Sequence, residues 1–68
     1  MIKMRTTTRL NYRAECSFKA GTIVGVLDEG TTVPVTENFS IMACGKLWRK
    51  VKVGRKYYYA VSDYLENV

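Results

Sequence analysis

The order in this chain is first of all one of alternation. Residues 5–13 read Arg-Thr-Thr-Thr-Arg-Leu-Asn-Tyr-Arg, with Thr6, Thr8, Leu10 and Tyr12 on one side of an extended backbone and charged residues dominating the other. That pattern predicts a half-buried strand. Residues 14–21 have no period and end in glycine, which predicts a surface loop long enough to carry function. Residues 22–27 form a short β-branched apolar run, and residues 31–36 form another beyond the acidic Asp28-Glu29-Gly30. Two such runs joined by a Gly-ended turn predict a hairpin. Gly25 inside the first run predicts a bulge or sharp bend, and Pro34, which has no N–H to give, belongs beside an edge or a bulge.

Farther along, Phe39, Ile41 and Ala43 alternate with Ser40, Met42 and Cys44, so residues 37–46 read as a loop with some strand character. Residues 47–53, the turn Gly54-Arg55-Lys56 and residues 57–61 form a second hairpin, the strongest local signal present. Ser62-Asp63-Tyr64-Leu65 starts with cap-type residues but is too short for an α-helix, so one 3₁₀ turn is expected there, followed by a last short strand. Five or six short strands with frequent turns and no helical period predict an all-β fold, a small barrel or sandwich.

A chain of 68 residues makes one domain, residues 1–68, with a thin core, since only about 60% of an unfolded chain's surface is buried at this size. Hydrophobic residues at 47% and charged ones at 25% are ordinary for a globular protein and exclude a disordered or fibrous class. The net charge of +5 favours anionic surfaces: nucleic acid, headgroups or wall polymers. Its cations are spread along the chain rather than gathered in a tail, so the charge alone does not choose among them.

Two cysteines, Cys16 and Cys44, and no histidine fall short of a four-ligand zinc site within one chain. Free, half-buried thiols and a Cys16–Cys44 disulfide both remain open. Without histidine a Cys or Ser nucleophile lacks its usual base, and the six carboxylates sit mostly in turn-like contexts, so no enzyme is expected and no catalytic residue is assigned. The five glycines are scattered and none precedes a helix, so no phosphate loop and no cofactor are expected. No apolar run approaches the ~18 residues of a membrane span, and residues 1–5 lack a signal peptide's apolar region. The expectation is a cytoplasmic protein if the chain is complete, and a wall-associated or extracellular module if it comes from a larger secreted protein.

Several short motifs stand in order: Leu10-Asn11-Tyr12-Arg13, Val24-Gly25-Val26-Leu27, Asp28-Glu29-Gly30-Thr31, Val33-Pro34-Val35, Trp48-Arg49-Lys50-Val51, Gly54-Arg55-Lys56, Tyr59-Ala60-Val61 and Tyr64-Leu65. Together they resemble the bacterial SH3-like (SH3b) domain over residues 5–66. The chain departs from that pattern at Ala14-Glu15-Cys16, at Tyr12 where the family has valine, at Tyr58 where it has glycine, and in a longer 37–46 segment. The resemblance implies a small SH3-like barrel of five or six strands with one 3₁₀ turn near the C-terminus. It also implies a module that binds cell-wall peptide or peptidoglycan, or else a protein partner inside the cell.

A shallow groove on a small barrel gains affinity from flat apolar faces with polar edges, which singles out the aromatics. Trp48 shares a strand face with Lys50 and Lys52, opposite Leu47, Val51 and Val53, and so is expected to look outward. In the family this tryptophan borders the groove; a packing cap over the barrel's end is the competing role. Tyr57 and Tyr59 share one face and Tyr58 the other, so at least one is exposed. Tyr64 resembles the tyrosine that lines the peptide groove of SH3-type domains; a structural hydroxyl anchor for the 3₁₀ turn is an equal competitor. Tyr12, Trp48, Tyr57 and Tyr64 are therefore the expected ligand-binding residues. Basic faces with exposed aromatics also stack bases, so nucleic-acid binding stands as a further, less favoured reading.

Overall fold

The computed structural model describes all 68 residues. Eight strands follow one another: β1 (Ile2–Thr6), β2 (Leu10–Arg13), β3 (Ile23–Leu27), β4 (Thr32–Val35), β5 (Ile41–Ala43), β6 (Lys46–Val53), β7 (Lys56–Val61) and β8 (Leu65–Asn67). Two 3₁₀ turns, Ala20–Thr22 and Ser62–Tyr64, precede β3 and β8. All pairings are antiparallel, in the order β3-β2-β7-β6-β4-β1-β8, with β5 added beside β6. The fold is all-β as expected, but with eight strands rather than five or six. The end strands β3 and β8 share no ladder.

One cluster of eight buried side chains organises the sheet: Met4 from β1, Leu10 from β2, Leu27 from β3, Val33 and Val35 from β4, Val51 from β6, Ala60 from β7 and Leu65 from β8. A single sheet whose strands nearly all turn the same face to one cluster must curl around it. Alternation fixes which residues take part. In β6, Val51 enters the core while Trp48, Lys50 and Lys52 face the other way.

Two expectations about pairing change. The stretch 5–13 is not one strand: it breaks at residues 7–9, where Thr8 is exposed while Thr6 and Leu10 are buried. Strands β3 and β4 do not pair with each other as a hairpin; β3 pairs with β2, and β4 with β1 and β6. The reason lies in the buried Thr6. Its hydroxyl donates to Asp28 O at 2.7 Å and accepts from Thr31 N at 3.0 Å, while its carbonyl accepts from Gly30 N at 2.9 Å. These bonds tie the acidic turn to the end of β1, so the chain crosses there instead of folding back.

The segment 37–46 resolves into a loop and the short strand β5, joined to β6 by a tight turn at Cys44-Gly45. The bulge or bend expected at Gly25 is met by a ladder irregularity. The β2–β3 register shifts between Tyr12 and Arg13, and the Tyr12 ring lies directly on Gly25, where a Cβ would collide with it. The hairpin of β6 and β7 runs in register from Trp48↔Val61 to Val53↔Lys56, turning at Gly54 with φ 65°.

Candidate functional site

Strands β2, β7 and β6 lie side by side, and their outward residues form rows. Arg13 stands opposite Tyr59, Tyr59 opposite Lys50, and Tyr57 opposite Lys52. None of the three strands contains a carboxylate. The face they turn away from the main core is therefore cationic and aromatic at once.

Segment 14–22 folds over one end of this face. Arg13, only 9% exposed, donates through Nη1 to Lys19 O at 3.2 Å and to Thr22 Oγ1 at 3.1 Å, and Thr22 donates its hydroxyl to Lys19 O at 2.6 Å. Ala14 N closes the segment by donating to Thr22 O at 2.8 Å. The Arg13 guanidinium also lies 5.3 Å from the centre of the Phe18 ring, a stacked cation–π contact. Arg13 thus holds the loop with one arm of its fork. Its Nε and second Nη make no hydrogen bond within the chain and are not sealed from solvent.

Beside this loop a cleft of about 350 Å³ opens between Thr8, Arg9, Leu10, Asn11, Arg13, Phe18, Val61 and Tyr64. Phe18, 48% exposed, and Tyr64, 40% exposed, supply aromatic walls, and Val61 a buried apolar floor. Arg9 makes no ion pair. The second 3₁₀ turn positions Tyr64, and an exposed bond from Lys46 Nζ to Asp63 Oδ2 at 3.2 Å links that turn to the start of β6. Such an exposed pair adds little stability but limits where the turn can lie. With no carboxylate or thiol in its lining, the cleft offers hydrogen-bond donors, positive charge and apolar contact.

The expected site residues do not converge there. Only Tyr64 lines the cleft. Trp48 is a correction: its side chain is fully buried rather than outward-looking. Alternation does direct it away from the main core, but Phe18 covers it at a ring distance of 5.1 Å, and its Nε1 donates to Ala43 O at 2.8 Å. It lies beneath Phe18 of segment 14–22, outside the main core, and touches the cleft only by supporting Phe18. Tyr12 is half-buried and packs its ring against Tyr58, with centres 5.0 Å apart, beside the main core. Tyr57 is 50% exposed, with Lys50 Nζ and Lys52 Nζ each 6.0 Å from its ring. It belongs to a neighbouring patch with Phe39, which sits 4.8 Å from Lys50 Nζ and 5.6 Å from the Tyr59 ring.

Arg9, Arg13 and Phe18 are the cleft residues that sequence reasoning missed. A signal existed for the last two: an arginine directly before an aperiodic loop, with one aromatic in that loop, is what a pinned and functional loop requires. Comparison of this chain with family models, with curated proteins and with solved structures finds no match.

Proposed function

We propose that this chain is a non-enzymatic binding module of the bacterial SH3-like barrel kind, and that its cleft seats a peptide, most directly the peptide part of the bacterial cell wall. One observation carries the reading: aromatic walls and two arginines without counter-charges meet in a single cleft. An extended peptide gives such a cleft what it lacks, namely apolar groups for Phe18, Val61 and Tyr64 and carbonyls or a carboxylate for the guanidinium groups. Arginine takes a carboxylate through two parallel bonds, and Arg13 has the free side of its fork available for one. The curl of the sheet around one small core supports the SH3-like part of the reading, as does the order of motifs along the sequence.

A second reading draws on the adjoining patch. Lys50 and Lys52 beside Phe39, Tyr57 and Tyr59 form a surface on which a single-stranded nucleic acid could stack its bases and neutralise its phosphates. Salt separates the two. A strand held by about four phosphate contacts loses roughly fiftyfold in affinity between ~50 and ~200 mM salt, whereas a peptide held by one arginine–carboxylate contact and apolar walls loses only about threefold.

The test is a pull-down on purified peptidoglycan sacculi at both salt levels, wild type beside Tyr64→Ala. The expected result is binding that survives the higher salt and drops about tenfold in the variant. Absence of binding at either salt would remove the wall ligand. Binding that disappears at the higher salt would favour the polyanion reading.

A further inference from the structure

Cys16 and Cys44 lie 28 positions apart in the sequence, yet the Cys44 thiol donates to the Cys16 carbonyl at 3.8 Å. Two independent contacts hold their segments together around Trp48: Phe18, two residues after Cys16, packs on the indole ring at 5.1 Å, and the carbonyl of Ala43, next to Cys44, accepts its Nε1–H at 2.8 Å. Cys44 also occupies an unusual place. It is the only non-glycine residue with positive φ, at 53°, and with Gly45 at 75° it forms the two-residue turn between β5 and β6. Such turns favour Asn, Asp or Gly at their first central position, because an ordinary side chain is disfavoured in the left-handed region. Turn geometry gives no reason for a cysteine there. Neither thiol lines the cleft, so the proposed function leaves both unused.

We propose that Cys16 and Cys44 form a reversible disulfide that fastens segment 14–22 to the β5–β6 turn across Trp48, made by exchange with a low-molecular-weight disulfide of the glutathione type. In the first step the exposed Cys44 thiolate attacks one sulfur of the small disulfide. A mixed disulfide forms and one small thiolate leaves. In the second, the Cys16 thiolate attacks the Cys44 sulfur, the Cys16–Cys44 bond forms, and the second small thiolate is expelled. The two departing thiolates take up the two protons given up by the cysteines. Two electrons pass from the cysteine sulfurs to the small disulfide, which ends as two thiols. The order of attack follows from the environments: Cys44 is exposed, whereas burial, and secondly the nearby Cys44, push the half-buried Cys16 thiol up and leave it less thiolate.

Such a bond constrains the unfolded chain over a long loop, and it fixes the segment that carries Phe18 and the acceptors of Arg13. The reduced full chain, incubated with excess oxidised glutathione, should convert to a species lighter by two hydrogens. Its midpoint of thermal unfolding should rise by about 10 °C and return on addition of dithiothreitol. Cys16→Ser should stop at a mixed disulfide on Cys44, and Cys44→Ser should react at least about tenfold more slowly. Stable adducts on both cysteines, or disulfide-linked dimers as the main product, would overturn the proposal. Alkylation of the reduced wild type checks the order of attack without any substitution: Cys44 modified before Cys16 agrees, and the reverse contradicts it.

Discussion

Replacing Trp48 by alanine should unfold this protein rather than merely weaken a ligand. The indole is fully buried, packed at 5.1 Å and a tilt of 45° against Phe18, and bonded through Nε1 to Ala43 O. Truncating a buried aromatic to alanine costs ~3–5 kcal/mol, the lost transfer energy together with the cavity left behind. A domain below about 70–80 residues rarely has more than ~3–5 kcal/mol in total. Those two ranges coincide, so Trp48→Ala should show no cooperative transition at 25 °C. Trp48→Phe keeps most of the ring and gives up the bond to Ala43 O. It should cost about 1–2 kcal/mol, lower the melting midpoint by roughly 5–15 °C and remain folded. Urea and thermal unfolding followed by far-ultraviolet circular dichroism measure both. A Trp48→Ala protein that unfolds cooperatively within about 1 kcal/mol of wild type would refute the assignment of Trp48 as a structural, packed residue. It would return the residue to the candidates for ligand contact.

Other consequences follow from particular contacts. Gly25→Ala places a Cβ 2.5 Å from Tyr12 Cζ, so it should cost about 1–2 kcal/mol by urea titration, and less in a Tyr12→Val background; equal costs in the two backgrounds would contradict the contact. Thr6→Val keeps the shape and removes the hydroxyl shared by Asp28 O and Thr31 N, so it should destabilise by about 1–3 kcal/mol while Thr6→Ser changes little. Glu37 accepts from the N-terminal amine at 2.8 Å, and that hydrogen bond, then the amine's charge, lowers its carboxyl from the ordinary 4.5. A carboxyl depressed in the folded state stabilises above its unfolded value and loses that contribution as pH falls through the folded value. Acid unfolding below about pH 4.5 should therefore be slightly shallower in Glu37→Gln, and small in extent because the group is fully exposed; superimposable wild-type and variant curves would contradict it.

Much of the fold was legible because alternation carries it. The β6–β7 hairpin and the closing 3₁₀ turn each depend on residues adjacent in sequence. The β3–β4 relation was not legible, since it hangs on Thr6, more than twenty residues from the turn it captures. Trp48 was misread for a related reason. Alternation gives the direction of a side chain but not what covers it, and the cover comes from Phe18 in an aperiodic loop. The cleft has the same origin: Tyr64 carried a motif signal, whereas Arg9, Arg13 and Phe18 meet only once segment 14–22 has folded back on the sheet.

If this protein binds a wall peptide, the ligand enters the cleft beside Tyr64. Titrating the ¹⁵N-labelled protein with a soluble stem peptide released from peptidoglycan tests it directly. Amide shifts should concentrate at Thr8, Arg9, Asn11, Arg13, Phe18, Val61 and Tyr64 and be lost in Arg9→Ala, an exposed substitution that should leave stability within about 0.5 kcal/mol. Shifts confined to the exposed edge strand β3, at Ile23, Val24 and Val26, or to Lys52 and Tyr57, would contradict it.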